Sequence, residues 1–368
     1  MIKVLVVDDS VVVRRLLSDA LGSDPRISVV GSAANGSIAL QKIEQLAPEV
    51  VILDVEMPDM DGIETVARIR KTRPELPVIM CSALTEQGAV VTLRALSAGA
   101  TDYITKPSAQ SVQQDRMSSF KSELIAKVVA LGERRGLTIF PAAERIAPPE
   151  QKSRPRHGLE PVTALAIGCS TGGPNALAVL FESIPQNLPV PMFIVQHMPP
   201  LFTKILADRL ASSSGVRVLE ARHGEEVEPG TVYIAPGNYH LTVGPDAGRA
   251  RLLTLLNQDA PENSCRPAVD VTFRSLAGIY RAGVLACVLT GMGHDSALGA
   301  RAIVEAGGTV LAQSPETCVV PSMPRSVIDA GLAETVLPLP QIADELVRRV
   351  QRSPSFRAPA RALSQREM

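Results

Sequence analysis

The chain has 368 residues, of which 45% are hydrophobic and 3% aromatic, and its formal net charge is −1. This length predicts two domains. A core of small aliphatic side chains is typical of parallel sheets covered by helices. The nearly balanced charge gives no electrostatic basis for binding nucleic acid or an anionic membrane surface. The apolar runs are shorter than the ~20 residues that span a bilayer, so no membrane insertion is expected.

The N-terminus and the cysteines indicate a cytoplasmic protein. Residues 1–7 have the pattern of a strand rather than of a signal peptide. The cysteines are odd in number, scattered and without C-x-x-C spacing, so we expect reduced thiols in the core or near a site. They are Cys81, Cys169, Cys265, Cys287 and Cys318.

Strand and helix patterns alternate through the first 107 residues. The predicted strands are 3–7, 27–33, 50–53, 78–82 and 102–104. The predicted helices are 11–21, 36–46, 63–72, 88–98 and 112–131. Five β/α units of this length predict a small, doubly wound, flavodoxin-like domain over residues 1–125.

Acidic residues follow two of these strands. Asp8 and Asp9 end the first strand and Asp54 ends the third, and these strands are neighbours in a sheet of order 2-1-3-4-5. Clustered carboxylates need a cation, and oxygen ligands favour Mg²⁺. Ser82 and Lys106, which end the fourth and fifth strands, face the same pocket. This set fits phosphoryl transfer to an aspartate, whereas helix capping alone explains one such Asp but not the whole set.

The pattern resembles the receiver domain of response regulators, over residues 1 to about 125. The resemblance rests on residues 8–9, 53–62, 82–83, 103 and 106–107. It implies that Asp54 is the phosphoacceptor, and that Asp9 and Asp54 hold Mg²⁺ with Asp8 assisting. It also implies that Lys106 contacts the phosphoryl group. Ser82 and Tyr103 would be the switch pair that rearranges on phosphorylation.

Proline and basic residues punctuate most of the segment 126–160, which we interpret as an exposed linker. The alternating pattern then resumes and predicts a second domain over 161–350. One interruption, with strands joined by turn residues, predicts an antiparallel insertion: its strands are 232–235, 241–243 and 251–255. Residues 351–368 are predicted to be a disordered tail. The predicted fold class is therefore α/β, with two doubly wound domains, the second mainly parallel with a hairpin insertion.

A serine lies on a glycine-flanked turn directly after the apolar run 162–167. Residues 168–173 read Gly-Cys-Ser-Thr-Gly-Gly, so Ser170 matches G-x-S-x-G. Such a turn exposes the hydroxyl, and the start of the following helix offers free N–H groups to an oxyanion or a phosphate. By itself the motif fits a helix cap equally well.

Two other strand ends strengthen this site. His197 follows the strand 193–196, and Asp295 lies just past the strand 283–289. Open α/β sheets place their sites at these ends, and the three side chains supply a nucleophile, a base and an orienting carboxylate. Because α/β-hydrolases have the order Ser, Asp, His, we expect a hydrolase triad on a different sheet. Competing residues are His223, His240 and His294 as bases and Cys169 as nucleophile.

A receiver followed by such a domain resembles the chemotaxis protein-glutamate methylesterases. The matching motifs lie at residues 167–174, 196–199, 233–237, 266–270, 289–295 and 323–324. The resemblance implies that Ser170 is the nucleophile, His197 the base and Asp295 the orienting group. It also implies that the Met292 backbone N–H serves the oxyanion hole, that Thr171 assists, and that the esterase domain needs no cofactor.

The implied function is a phosphorylation-activated hydrolase in chemotaxis adaptation. It would remove methyl groups from glutamyl esters on the cytoplasmic helices of chemoreceptors and deamidate receptor glutamines. A chemotaxis histidine kinase would be the phosphodonor, the unphosphorylated receiver would cover the catalytic cleft, and the protein would be a monomer. Departures from the family pattern are Cys169, Ser296 and the pair Pro321-Ser322. Two other interpretations are a receiver-controlled anion-binding module and a receiver that only takes up phosphate from a kinase.

Overall fold

A computed structural model describes four ranges of the chain: residues 1–106, 114–133, 160–246 and 251–351. Most of the predicted linker 126–160 and all but the first residue of the predicted tail 351–368 lie outside the described residues, as does Pro107 of the receiver pattern. No helix among the described residues combines the length and apolar character needed to cross a membrane.

The first domain is a parallel five-stranded sheet of order β2-β1-β3-β4-β5. Its strands are β1 (Ile2–Val7), β2 (Ile27–Ala33), β3 (Val50–Asp54), β4 (Val78–Ser82) and β5 (Asp102–Thr105). Its helices are α1 (Val11–Gly22), α2 (Gly36–Leu46), α3 (Gly62–Thr72), α4 (Glu86–Ser97) and α5 (Gln114–Gly132). One sheet face packs on α1 and α5 and the other on α2, α3 and α4, which confirms the doubly wound class.

Local sequence fixes where these helices begin. Four of them start behind a polar residue whose side chain accepts a hydrogen bond from the backbone N–H three residues later: Ser10, Asn35, Asp61 and Thr85. Each such cap stabilises its helix by roughly 1 kcal/mol. The caps hold the short loops at the carboxyl ends of the strands, where the acidic residues lie.

The second domain is a parallel seven-stranded sheet of order β15-β14-β13-β6-β7-β10-β8. Its strands are β6 (Ala164–Cys169), β7 (Met192–Gln196), β8 (Arg217–Glu220), β10 (Thr231–Ile234), β13 (Val284–Val288), β14 (Thr309–Gln313) and β15 (Thr335–Leu337). Its helices are α6 (Gly173–Phe181), α7 (Phe202–Ser214), α8 (Val269–Tyr280), α9 (Ala297–Glu305), α10 (Ser322–Asp329) and α11 (Leu339–Gln351). Helices α6, α7 and α11 cover one face and α8, α9 and α10 the other.

The antiparallel insertion differs in part from the prediction. The small antiparallel sheet contains β9 (Glu225–Glu226), β11 (His240–Pro245) and β12 (Leu252–Asn257). The segment predicted at 232–235 is β10, which pairs in parallel with both β7 and β8 in the main sheet. Fully buried strands are apolar whichever sheet they join, so the residue pattern of 232–235 could not separate the two placements.

The boundary of the linker also differs from the prediction. Helix α5 continues to Gly132, so residues 126–132 belong to this helix and not to the linker. Buried Leu124 and Val128 anchor this helix on the first sheet. Likewise, Gln351, the first residue assigned to the tail, is the last residue of α11.

The two domains pack against each other through α4 and β5 of the first and α6 and α7 of the second. The Tyr103 ring on β5 stacks on Phe202 of α7, with centroids 5.0 Å apart and planes inclined by 11°. Asn175 donates from Nδ2 to the Ala100 carbonyl at 3.0 Å. Arg209 donates to the Leu93 carbonyl at 3.0 Å. One continuous hydrophobic cluster spans both domains.

Candidate active site and phosphoacceptor site

Sheet order brings the three candidate catalytic side chains of the second domain together. Ser170 directly follows β6 and His197 directly follows β7, while Asp295 lies in the loop between β13 and α9. Strand β6 lies between β13 and β7, so the three loops leave adjacent carboxyl ends of one parallel sheet. This is the edge at which open α/β sheets bind ligands.

His197 and Asp295 form a close pair. The Nε2 atom of His197 lies 2.7 Å from Oδ2 of Asp295, whose side chain is 3% exposed. The Val269 and Asp270 N–H groups donate to the same carboxylate at 2.7 and 3.0 Å. Asn263 Nδ2 donates to it at 3.1 Å. Burial by itself would raise the pKa of Asp295. The hydrogen bonds and the positive ring of His197 outweigh burial and bring the pKa below its usual value, so the carboxylate remains anionic.

The bond to Asp295 leaves Nδ1 of His197 as the ring atom that can accept a proton. Burial lowers the pKa of His197, but Asp295 and Cys265 outweigh burial and raise that pKa to about 10. Nδ1 lies 3.6 Å from Sγ of Cys265. Within the described residues, Ser170 and His197 form no hydrogen bond.

The serine turn is built with free backbone donors. Ser170 N–H donates to the Thr290 carbonyl at 3.0 Å, and Gly173 N–H donates to the Ser170 carbonyl at 2.7 Å. The N–H groups of Thr171 and Met292 have no acceptor among the described residues. A Cβ on Gly291 would lie 2.9 Å from Cβ of Ser170, so the chain just before Met292 runs directly against the serine. Thr171, which follows Ser170, and Met292, which follows Gly291, therefore both lie beside the serine turn.

The side chains of the competing residues do not join the pair of His197 and Asp295. His240 is buried with both ring nitrogens engaged, by the Ala260 carbonyl and the Ala268 N–H, each at 3.2 Å. His223 contacts the backbone of Leu256 on the antiparallel sheet. Cys169 is fully buried, and burial raises the pKa of its thiol. The fourth competitor, His294, is exposed, and none of the four contacts Asp295 within the described residues.

The acidic cluster of the first domain forms as predicted from strand order. Lys106 Nζ lies 2.8 Å from Oδ2 of Asp8 and 2.8 Å from Oδ1 of Asp54. Burial raises the pKa of Asp54 to about 6, although Lys106 opposes this. One carboxylate oxygen from each of Asp8, Asp9 and Asp54 lies within 4.8 Å of the others. An all-oxygen set of this size fits a hard divalent cation such as Mg²⁺.

The two predicted switch residues lie in different surroundings. Ser82 is buried beside the acidic cluster and donates from Oγ to the Gly88 carbonyl at 3.1 Å. Tyr103 is 5% exposed because its ring packs against Phe202 of the second domain. The side chain that the resemblance assigns to switching is therefore part of the domain interface.

Sequence reasoning missed several residues of the triad site. Asn263 and Asp270 hold the loop of Asp295, and Asp270 also accepts from the Gly299 N–H at 2.6 Å. Cys265 lies beside His197. The signal that the sequence offered was the motif 266–270, which follows Cys265 directly. Its Asp270 is a buried carboxylate in the first turn of α8, and such a residue indicates a supporting role.

Comparisons with known proteins match the whole architecture. Residues 165–346 match the family described as CheB methylesterase, and residues 4–117 match the response regulator receiver domain. A protein-glutamate methylesterase/protein-glutamine glutaminase of Nocardioides sp. is 51% identical over 366 residues, 99% of each chain. One of Trichodesmium erythraeum is 45% identical over 349 residues, 95% of this chain and 99% of the relative.

Solved structures are similar to each part separately. The crystal structure of the Thermotoga maritima CheB methylesterase catalytic domain is 47% identical and covers 50% of this chain and 97% of that chain, with a TM-score of 0.49. The response regulator domain of Thermotoga maritima CheB is 41% identical and covers 37% and 99%, with a TM-score of 0.33. Given the full-length identity to curated relatives, the chain belongs to the CheB family of receiver-linked protein-glutamate methylesterases.

Proposed function

We propose that the protein is a phosphorylation-activated hydrolase of the protein-glutamate methylesterase and protein-glutamine glutaminase type, acting in chemotaxis adaptation. The observation that carries this proposal is the 2.7 Å pair of His197 and Asp295 beside a serine turn with free N–H groups. A pair of this kind fixes the proton on Nε2 and keeps the Nδ1 lone pair for a hydroxyl. An anion-binding turn has no need of an oriented base.

The chemistry follows from this tautomer. Nδ1 of His197 accepts the Ser170 proton, and Oγ bonds to the carbonyl carbon of a glutamyl methyl ester. The N–H groups of Thr171 and Met292 stabilise the oxyanion, each donor contributing about 3–4 kcal/mol. The imidazolium returns the proton to the leaving methoxide, which departs as methanol. Water, deprotonated by the same nitrogen, then cleaves the acyl-serine and leaves a glutamate. With a glutamine substrate the leaving group is ammonia.

In the first domain, Asp54 would accept the phosphoryl group. Asp8, Asp9 and Asp54 would hold Mg²⁺, which neutralises phosphoryl oxygens when it is bound. Lys106, now paired with Asp8 and Asp54, lies within reach of a phosphoryl group on Asp54. A histidine kinase of the chemotaxis system would be the donor, and the cytoplasmic helices of methylated chemoreceptors the substrate. We propose that the protein acts as a cytoplasmic monomer.

The domain packing supports regulation by occlusion. Val319 and Val320 and the partly buried Met292 belong to the same hydrophobic cluster as Phe120 of α5. The receiver therefore packs next to the residue proposed to stabilise the oxyanion. Phosphorylation of Asp54 would draw in Ser82 and loosen the Tyr103–Phe202 stack, which exposes the cleft.

The proposed reaction is tested by methanol release from methylated receptor and by labelling with a serine-directed fluorophosphonate. Wild type should release methanol and be labelled at Ser170, and Ser170→Ala should do neither. Ser183→Ala, an exposed serine of the same domain, is the matched control and should behave as wild type. A wild-type protein that is not labelled would support the anion-binding alternative.

The proposed regulation is tested in the full-length chain. Asn175→Ala with Arg209→Ala removes the two interdomain hydrogen bonds found among the described residues. Esterase activity without a phosphodonor should therefore rise several-fold, and the stimulation by acetyl phosphate should shrink. Arg217→Ala, an exposed arginine paired within its own domain, serves as control. Lower activity in the double variant would show that the receiver assembles the site rather than covering it.

A further inference from the structure

Cys265 lies beside His197 and takes no part in the proposed bond-making and bond-breaking steps. Its Sγ lies 3.6 Å from Nδ1 of His197, whereas Asp295 binds Nε2 on the other edge of the ring. The other four cysteines are buried, and only Cys265 is partly exposed. A reagent or ion that enters the cleft can therefore reach this thiol.

His197 is oriented as metal-binding histidines are. Such histidines donate the second ring N–H to a carboxylate, which fixes the tautomer and makes the ligating nitrogen more basic. Asp295 does this through its 2.7 Å contact with Nε2. Three further N–H donors hold the carboxylate in place. The arrangement proposed for proton transfer thus also presents Nδ1 as a ligand.

The separation of the two candidate ligand atoms fits a single tetrahedral ion. Zn–N bonds of ~2.1 Å and Zn–S bonds of ~2.3 Å at a tetrahedral angle place the N and S atoms about 3.6 Å apart. The observed distance from Nδ1 to Sγ is 3.6 Å. In addition, His197, Cys265 and Asp295 each offer one ligand atom within 4.8 Å of the others, so a carboxylate lies close enough to balance the charge of a cation.

We propose that Nδ1 of His197 and Sγ of Cys265 bind Zn²⁺, and that this binding inhibits the enzyme. The thiol loses its proton to solvent on binding, so affinity rises with pH, and water completes the coordination. The ion takes the lone pair that would otherwise accept the Ser170 proton. The binding depends only on the geometry, whereas the inhibition rests on the proposed function.

Ligand chemistry separates this site from the acidic cluster of the receiver. Imidazole and thiolate favour Zn²⁺ and other late transition metals, whereas carboxylates favour Mg²⁺. Excess Mg²⁺ should therefore saturate Asp8, Asp9 and Asp54 and leave the pair of His197 and Cys265 free for zinc.

Cobalt reports binding at the thiolate directly. The full-length protein, freed of metal by a chelator, is titrated with Co²⁺ in excess Mg²⁺. We expect one equivalent to produce a thiolate-to-cobalt charge-transfer band that Zn²⁺ abolishes. The band should vanish in Cys265→Ser and persist in Cys287→Ala, a buried thiol of β13. Absence of the band in wild type, or its persistence in Cys265→Ser, overturns the proposal.

A second measurement needs no variant. Zn²⁺ should protect Cys265 of the wild type from iodoacetamide by at least tenfold in rate, with the alkylated site located by mass spectrometry. Unchanged alkylation would contradict binding at Sγ.

Inhibition is measured separately. Zn²⁺ should suppress methanol release and fluorophosphonate labelling of wild type at concentrations at least tenfold below those needed for Cys265→Ser, and EDTA should restore both. Equal sensitivity of the two proteins overturns the inhibitory role. A cobalt band in a protein that never releases methanol would support the metal site while refuting the proposed function.

Discussion

Two buried aspartates at the carboxyl ends of parallel strands, Asp54 and Asp295, have pKa values shifted in opposite directions. They are 4% and 2% exposed. Burial raises the pKa of Asp54 to about 6, because Lys106 is shared with Asp8 and one backbone N–H, that of Val55, donates to the carboxylate. The pKa of Asp295 is lowered, because three N–H donors and His197 surround it.

The difference shows that burial alone does not determine the state of a carboxylate; its donors do. A further cation beside Asp54 would favour its ionised form, which suits the role proposed for it as a phosphoacceptor in the presence of Mg²⁺. The lowered pKa of Asp295 keeps its carboxylate ionised at neutral pH, which suits the role proposed for it in orienting the base. The same substitution, Asp to Asn, should therefore have different effects at the two sites.

The largest expected effect is on catalysis. Asp295→Asn should lower kcat for methanol release by about 10⁴-fold, because an amide stabilises the wrong tautomer of His197. Asp54→Asn should leave basal activity within a factor of two and abolish stimulation by acetyl phosphate. Both variants are assayed on methylated receptor with and without the phosphodonor. Comparable losses of basal esterase activity in the two variants would contradict the different roles proposed for the two aspartates.

The next largest expected effect is on the free energy of unfolding, which Asp54→Asn should raise and Asp295→Asn should lower. The raised pKa of Asp54 means that its contribution to stability is lost as pH rises through about 6. Asp54→Asn should therefore stabilise the Mg²⁺-free protein at pH 7.5 by about 1–3 kcal/mol. Because the pKa of Asp295 is lowered in the folded protein, its carboxylate stabilises the fold at pH values above the pKa of an unfolded Asp, and this contribution is lost in acid. Asp295→Asn should therefore destabilise the protein by about 1–3 kcal/mol at neutral pH.

Urea unfolding at pH 7.5 and at pH 4 measures both variants, with each domain followed separately. At pH 4 the advantage of Asp54→Asn should shrink, since the wild-type carboxyl is then protonated in the folded state. A stabilised Asp295→Asn would mean that its donors do not favour the anion.

A smaller effect concerns the pH dependence of the base. Because the pKa of His197 is raised to about 10, kcat/KM should increase with pH well above the ordinary histidine range, as the ring must be neutral to accept a proton. Cys265 contributes to that shift, so Cys265→Ser should move the acidic limb to lower pH by roughly one unit, about 1.4 kcal/mol. The pH profiles of kcat/KM for wild type and Cys265→Ser on one substrate test this. Identical acidic limbs would mean that Cys265 does not contribute and that Asp295 alone raises the pKa of His197.

Much of this architecture could be predicted from sequence, because strand ends are marked by the switch from apolar to polar residues. Asp54 directly ends β3, and Ser170 directly follows β6. The sequence could not predict Cys265 beside His197, 68 residues apart, because that contact depends on how a loop before α8 folds over the sheet edge. The stack of Tyr103 on Phe202 could not be predicted for a similar reason, since it joins residues of two different domains.

The smallest effect lies in the loop that carries Asp295. Ser296 follows it with φ of 143°, a backbone region that favours glycine, and its buried Oγ has no hydrogen-bond partner in the part of the chain that the structure describes. Asp54, by contrast, ends a regular strand. Backbone strain and the orphan hydroxyl each cost of order 1–3 kcal/mol, partly offset by the greater freedom of an unfolded glycine, about 0.5–1 kcal/mol. Ser296→Gly should therefore stabilise the catalytic domain by about 1–2 kcal/mol without loss of activity.

Ser296→Ala separates the two costs, since it removes the hydroxyl but keeps the strained backbone. Thermal denaturation of the full-length protein should give the order glycine, alanine, serine, with steps of roughly 2–4 °C per kcal/mol. An alanine variant as stable as the glycine variant would show that the hydroxyl, and not the backbone, carries the cost. If glycine stabilises but slows methanol release, the strain itself helps to hold Asp295 against His197, and the two buried aspartates then differ in backbone as well as in donors.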